Sequence, residues 1–136
     1  MSFLLDTNVI SEARKPNGNP NVAAWLASVR GPDLYLSVLV VGEIRQGIER
    51  LRRRDRAQAG VYEAWLAKLQ QDYADRILPI TVAVAAEWGR MNVPDPVPVI
   101  DGLMAATASV QGLTLVTRDT AGLARTGVRL LNPFHS

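Results

Sequence analysis

The segment Val99–Asp119, VIDGLMAATASVQGLTLVTRD, contains one complete helix-to-strand unit and decides the fold class. Apolar side chains recur at helical spacing from Ile100 to Val110, and Gly112 is typical of a residue that ends a helix in the left-handed conformation. The pattern of Leu113–Val116 predicts a short strand. Helices that alternate with short apolar strands indicate an α/β fold with a mainly parallel sheet.

The same alternation continues on both sides of this segment. Further strands are predicted at Phe3–Leu5, Leu34–Leu36, Ile77–Ile80 and Val128–Leu131, and helices at Val22–Val29, Glu43–Leu51, Arg56–Tyr73 and Val82–Met91. Three prolines between residues 94 and 98 predict a rigid connector. We therefore expect a three-layer α/β/α sandwich that forms a single domain over residues 1–136.

The composition is that of a folded, soluble domain. Hydrophobic residues make up 48% of the 136 residues and charged residues 21%, with a net charge of +2. The longest uncharged run, from residue 102 to 117, is shorter than the roughly 20 apolar residues of a membrane span. The first residues lack the features of a signal peptide. We expect no membrane association and a cytoplasmic location.

The counts of cysteine and histidine exclude several kinds of site. The chain has no cysteine, which excludes disulfides, thiolate nucleophiles, cysteine-ligated zinc and iron–sulfur clusters. The single histidine, His135, is the penultimate residue, and chain termini usually fray. Any hydrolytic chemistry is therefore expected to use carboxylates, hydroxyls or a metal ion.

Four acidic residues occupy the positions where a parallel α/β sheet places its ligands. Asp6 follows the first predicted strand and Asp119 the fourth, while Glu43 and Asp101 lie in otherwise apolar helical stretches. Each acid has an ordinary explanation, such as Asp6 or Thr7 as a helix N-cap, or Asp101 interacting with a helix dipole.

An acid in an apolar stretch usually has a partner. Two carboxylates about 4 Å apart repel by about 4 kcal/mol at an effective dielectric constant near 20. If the four acids converge, a divalent cation is expected among them. A set of oxygen ligands favours Mg²⁺, with Mn²⁺ as a substitute, over zinc.

A cluster of arginines lies within and just after the predicted helix Glu43–Leu51. Its members are Arg45, Arg50, Arg52, Arg53, Arg54 and Arg56. The cluster is interpreted either as a solvated helix end or as a patch that attracts phosphate. Both interpretations stay open, because thirteen arginines against two lysines also reflect the base composition of a genome.

Four ordered segments make the chain similar to a known family. The chain resembles the PIN-domain ribonucleases, in particular VapC-type toxins of toxin–antitoxin pairs and their FitB-like branch. The matching segments are FLLDTNVISE (residues 3–12), LYLSVLVVGEIRQGI (34–48), VIDGLMAATASVQGLTLVTRD (99–119) and GVRLLNPF (127–134). The resemblance implies a five-stranded parallel sheet in the order 3-2-1-4-5.

The resemblance also implies the site and its chemistry. The family's acidic quartet falls on Asp6, Glu43, Asp101 and Asp119, its supporting hydroxyl on Thr117, and Asn8 is a plausible partner of Asp6. The implied activity is Mg²⁺-dependent hydrolysis of RNA phosphodiester bonds. Asp6 and Asp101 are expected to be the principal metal ligands, with Glu43 and Asp119 completing the pocket.

Partners follow from the same resemblance. VapC-like proteins form homodimers and are silenced by a small antitoxin whose C-terminal arm lies across the acidic pocket, and the complex binds operator DNA. An arginine of that arm often enters the pocket, where a guanidinium neutralises carboxylates. Trp25, Trp65, Leu66 and Tyr73 are expected either to line a groove for the arm, to form the dimer, or to pack in the core.

Two other classes of function fit the sequence less well. A catalytically weak interaction module that acts with an antitoxin as a DNA-bound repressor would not need a complete acidic quartet. A phosphoryl-accepting receiver needs a lysine after a late strand, but the only lysines are Lys15 and Lys68. An aspartate-based phosphatase needs a second acid two residues after Asp6, where Asn8 stands. DNA as a substrate stays open, since metal-assisted hydrolysis does not use the 2′-hydroxyl.

Overall fold

The structure is a computed structural model that describes residues 1–135, and it confirms the predicted alternation of strands and helices. The strands are β1 (Phe3–Leu5), β2 (Leu34–Ser37), β3 (Ile77–Leu78), β4 (Thr114–Val116) and β5 (Leu130–Leu131). The helices are α1 (Thr7–Arg14), α2 (Pro20–Ala27), α3 (Val38–Arg52), α4 (Arg56–Asp72), α5 (Val82–Met91), α6 (Val99–Gln111) and α7 (Thr120–Leu123). Among the described residues, none of these helices is long and apolar enough to span a membrane.

All neighbouring strands are parallel, and their order is β3-β2-β1-β4-β5, as the resemblance implied. β1 lies at the centre, with Phe3 opposite Leu34 of β2 and Leu5 opposite Val116 of β4. The chain runs outward from β1 to β3 and then crosses back to β4. The order therefore reverses between β1 and β4, where a ligand site is expected at the carboxyl ends of the strands.

Helices cover both faces of the sheet. Right-handed crossovers place α1–α4 on one face and α5–α7 on the other, and the contacts agree: α1 packs on α2 and α3, and α3 on α4, whereas α6 packs on α5 and α7. Every residue of β1 and β4 is buried. Apart from Thr114, the residues of these two strands are apolar, because helices cover both faces of the sheet. The central strands therefore give the site a rigid base.

Two outer strands are shorter than the sequence predicted. β3 ends at Leu78 rather than Ile80 because Pro79 follows and has no backbone N–H to donate to the sheet. β5 covers only Leu130 and Leu131, since a 3₁₀ turn and Gly127 in the left-handed conformation precede it. The predicted ends of α5 are confirmed without change.

Gly112 ends α6 as the sequence predicted. Its φ is +70°, and its backbone N–H donates to the carbonyls of the last helical turn. A Cβ built at this position meets no atom within 4 Å, so the cost of a side chain here comes from the backbone conformation alone.

We expect Gly112→Ala to lower the free energy of unfolding by about 1 kcal/mol because alanine is strained at positive φ. Gly60→Ala is the matched control: this exposed glycine lies within α4, and a Cβ there also meets nothing within 4 Å. The control should raise the free energy by about 0.5 kcal/mol. Urea unfolding of both variants checks the opposite signs, and two changes of the same sign would contradict the assignment.

Candidate functional site

Asp6 lies at the switch point and is held by three hydrogen bonds. It is the N-cap of α1, and its Oδ1 accepts the backbone N–H of Thr7 at 2.7 Å. Its Oδ2 accepts the Thr117 hydroxyl at 2.7 Å and the Asn8 side-chain amide at 3.3 Å. A carboxylate offers about four acceptor positions, so one position on Oδ1 remains open. Asp6 is therefore an N-cap, and the open position on Oδ1 leaves it compatible with the predicted site role.

Thr117 joins the ends of β1 and β4. The side chain is fully buried, its hydroxyl donates to Asp6, and the hydroxyl oxygen accepts the backbone N–H of Asp119 at 3.2 Å. A hydroxyl has one donor and two acceptor positions, so it can make both contacts at once. Thr117 thus fixes two members of the predicted quartet relative to each other.

Asp119 is the N-cap of the short helix α7. Its Oδ1 accepts the backbone N–H of Gly122 at 3.0 Å, and the residue is exposed. A Cβ on Gly122 would lie 2.5 Å from Asp119 Oδ2, so only glycine allows this approach. The local turn therefore sets the direction of the Asp119 carboxylate.

Glu43 projects from α3 and is tied to α1 by a contact that the sequence analysis missed. The Thr7 hydroxyl donates to Glu43 Oε1 at 2.5 Å across 36 positions of sequence. Thr7 was considered only as a possible N-cap. Its position beside Asp6 in the first turn of a helix was the available signal, but the partner depends on how α1 meets α3.

Asp101 lies in the first turn of α6, where it is exposed to the negative charges of the other three acids. Partial burial raises the pKa of the Asp101 carboxyl, and the charges of Asp6, Asp119 and Glu43 raise it further. A helix N-terminus favours a negative charge, yet here burial and repulsion outweigh that effect. The charges of the other three predicted site acids therefore act on the Asp101 carboxyl.

The oxygen ligands of the quartet suit a magnesium-type ion, but they do not form a complete coordination site. Within residues 1–135, no three acidic or histidine side chains stand in position to hold a metal ion together. The set offers only oxygen ligands, and a cation would relieve the repulsion at Asp101. Asn8 Oδ1 is buried beside Asp6 without a hydrogen-bond partner in the described part of the chain, so it can accept from a water of hydration. The residues therefore fit the ion by their chemistry.

The four residues predicted for a groove, a dimer or the core, and the arginines of the cluster, lie in several different parts of the structure. Trp25 packs edge-to-face on Phe3, Leu66 is buried in the core, and Tyr73 lies under the Arg76 guanidinium. Trp65 alone of the four lines a groove beside Glu43. In the arginine cluster, Arg45 and Arg52 form ion pairs with Glu49 and Glu63, whereas Arg54 lines the same groove as Trp65.

Known proteins share this fold and most of this sequence length. The PIN domain family matches residues 3–128. Toxin FitB of Neisseria gonorrhoeae is 36% identical over 98% of this chain and 99% of its own length. The VapC ribonuclease Y4jK of Sinorhizobium fredii is 31% identical over 97% of both chains.

Solved structures agree with the sequence comparison. The crystal structure of FitAcB from Neisseria gonorrhoeae superposes with a TM-score of 0.91 at 36% identity, covering 98% of this chain and 99% of that one. The structure of FitAB bound to an IR36 DNA fragment superposes with a TM-score of 0.88 at 35% identity, covering 98% and 96%. These values confirm the fold that the resemblance implied.

We expect Asp101→Asn to raise the melting temperature of the metal-free protein at neutral pH by about 2–5 °C. The folded-state pKa of Asp101 is raised, so folding stability is greatest below the ordinary pKa of an aspartate and falls as pH rises through the raised value. Asparagine does not ionise, so the variant should not lose this folding stability as the pH rises. Its advantage should therefore disappear at acidic pH.

Asp75→Asn is the matched control, because the Asp75 side chain is 87% exposed and lies outside the quartet. Thermal unfolding in EDTA across a pH series makes the comparison. A melting temperature of Asp101→Asn that follows the control at every pH would show that Asp101 carries no such repulsion.

Proposed function

The chain belongs to the PIN-domain family, and from that premise we propose that it is a metal-dependent endoribonuclease that acts as the toxin of a toxin–antitoxin pair. The observation that carries the proposal is the position of Asp6 and Asp119 at the ends of the paired strands β1 and β4, where the Thr117 hydroxyl is hydrogen-bonded to both residues. Partial burial and the charges of Asp6, Asp119 and Glu43 also raise the pKa of Asp101. Four acids gathered at a strand-order switch point are costly for a domain that binds no cation. The names of the relatives, a toxin and a VapC ribonuclease, support the same activity.

The proposed ligands are the quartet, with Asp6 and Asp101 as the principal pair and Mg²⁺, or Mn²⁺ in its place, as the ion. A bound ion of this kind lowers the pKa of a water, polarises a phosphodiester and stabilises charge on the leaving oxygen. One acceptor position on Asp6 Oδ1 remains open for the ion. The three hydrogen bonds that Asp6 accepts hold its carboxylate in place.

The remaining residues position these carboxylates. Thr117 keeps Asp6 and Asp119 at a fixed spacing, and Thr7 keeps Glu43 on the side of the pocket formed by α3. Asn8 offers Oδ1 as an acceptor to a water that approaches Asp6. No histidine base is needed, because the acidic groups can accept the proton of the attacking water.

The proposed partners follow from the relatives. One solved relative is a FitAB complex on DNA, so we propose that a small antitoxin protein binds this chain and that the complex binds operator DNA. A homodimer is also proposed, and Val82, Val93 and Val99, which are strongly exposed, are apolar surface that it could cover. RNA and operator DNA are both found in the cytoplasm, where we expect the protein to act.

Asp6→Asn tests the nuclease activity. Purified protein, freed of any partner, is incubated with total RNA in Mg²⁺, Mn²⁺ or EDTA. We expect discrete metal-dependent cuts that fall by more than about 100-fold in the variant, because an amide replaces a charged ligand. The fold should persist, since asparagine caps a helix as well as aspartate does.

Asp75→Asn, which changes an exposed aspartate far from the site, should cut RNA as the wild type does. Equal activity of Asp6→Asn with the same products would remove Asp6 from the site. A folded wild type that cuts nothing in any metal would instead favour the repressor module without nuclease activity.

Variants of Thr117 test whether its hydroxyl positions the carboxylates. Thr117→Val keeps the volume of the side chain but removes the hydroxyl that joins Asp6 to Asp119. We expect kcat to fall by about 10–100-fold and the Mg²⁺ concentration for half-maximal activity to rise. Thr117→Ser should restore both values, because serine supplies the same hydroxyl. A valine variant with unchanged metal dependence would show that the hydroxyl does not position the ligands.

A further inference from the structure

A groove of about 430 Å³ runs from the acidic site along one face of the protein. Thr7 and Glu43 are among its lining residues, so the groove adjoins the quartet at Glu43. Ile44, Ile48 and Leu51 of α3 form an apolar surface along it. Its volume falls in the range of about 300–1,000 Å³ that is typical of small-molecule pockets. A strand whose phosphodiester lies at the quartet would enter this groove as it leaves Glu43.

One wall of the groove combines aromatic rings with a cation. The Arg14 guanidinium lies 4.0 Å from the centre of the Tyr62 ring and 5.6 Å from that of Trp65. Arg14 Nη2 also donates to the Tyr62 hydroxyl at 2.6 Å. A guanidinium has five N–H donors, so most of them remain available. Flat, partly buried groups of this kind are the surfaces on which unpaired bases stack.

The free positive charge at the groove is concentrated in two arginines. Lys15 is paired with Glu12 at 3.2 Å, and Arg45 and Arg52 are occupied by Glu49 and Glu63. In the described part of the chain, no carboxylate lies within 4.0 Å of the guanidinium of Arg14 or Arg54. The one acid in the groove, Glu43, is bound by the Thr7 hydroxyl.

We propose that this groove binds the nucleotide next to the scissile phosphate of a single-stranded RNA. The base stacks against the wall formed by Arg14, Tyr62 and Trp65, and Arg14 and Arg54 contact the backbone phosphates. The proposal rests on the proposed nuclease function and names the subsite through which the substrate is held. An apolar surface and stacking groups offer few base-specific hydrogen bonds, so the subsite tolerates several bases.

RNA is favoured over a protein segment by charge and by continuity. An apolar peptide would also fit Ile44, Ile48 and Leu51, but it would leave Arg14 and Arg54 without anions. A polynucleotide satisfies both arginines and passes through the acidic site without a break. The subsite also explains why Arg54 stays outside the ion-pair network that occupies its neighbour Arg52.

The first test compares two adjacent arginines. Arg54→Gln removes a charge from the groove, while Arg53→Gln removes one from an exposed side chain that does not line it. We expect Arg54→Gln and Arg14→Gln to raise KM for RNA about 10-fold with little change in kcat. The salt dependence of binding should decrease by about one phosphate contact for each. Arg53→Gln should change neither value.

The second test measures stacking without cleavage. A short single-stranded RNA carrying 2-aminopurine is bound to the full-length protein in EDTA, and its fluorescence is followed. We expect quenching in the wild type and in Tyr62→Phe, and loss of quenching in Tyr62→Leu. Circular dichroism checks that each variant is folded, and a Trp65→Leu variant gives a second reading should Tyr62→Leu fail to fold.

These outcomes separate the subsite from the nuclease activity. Equal KM and salt dependence for Arg53→Gln and Arg54→Gln, or the absence of quenching in the wild type, would overturn the proposal. If the groove instead binds a polypeptide partner, we expect those same two overturning results. Because the fluorescence assay needs no metal or cleavage, it judges the subsite even if the wild type cuts no RNA.

Discussion

The mutual repulsion of four carboxylates is the constraint on which the rest of the structure depends. A parallel sheet with the order β3-β2-β1-β4-β5 places the carboxyl ends of β1 and β4 side by side, so Asp6 and Asp119 must be neighbours. Asp101 then reaches the same region from α6, where partial burial and the other acids raise its pKa. Carboxylates repel one another at short range unless hydrogen bonds or a cation compensate their charges.

The fold compensates part of this repulsion and leaves part of it. Asp6 receives three donors, which come from Thr7 and Asn8 just after it in sequence and from Thr117 just after the neighbouring strand β4. Asp101 has no comparable set of donors in the hydrogen bonds described for residues 1–135, and it remains protonated more readily than an ordinary aspartate. The buried central strands prevent the acids from moving apart. The proposed cation would relieve this remaining repulsion.

The elements could be predicted from the sequence, whereas most contacts of the site could not. The ends of α5 and the left-handed Gly112 follow from local patterns, because capping and periodicity depend on neighbouring residues. The order of the strands needed the family resemblance, since the strand patterns alone fit several orders. The bonds from Thr7 to Glu43 and from Arg14 to Tyr62 join residues 36 and 48 positions apart, and such pairs depend on how whole helices pack. The sequence likewise could not show which arginines of the cluster form ion pairs and which line the groove, because this depends on how α3 packs on α4.

The most direct test of this account is the pKa of the Asp101 carboxyl, measured by carbon-detected NMR in the metal-free protein. We expect a pKa above that of an ordinary aspartate, and this pKa should fall when Asp6 is replaced by asparagine and also when Mg²⁺ is added to the wild type. An ordinary value that responds neither to Asp6→Asn nor to Mg²⁺ would show that the quartet is not an electrostatic unit, and would contradict the account.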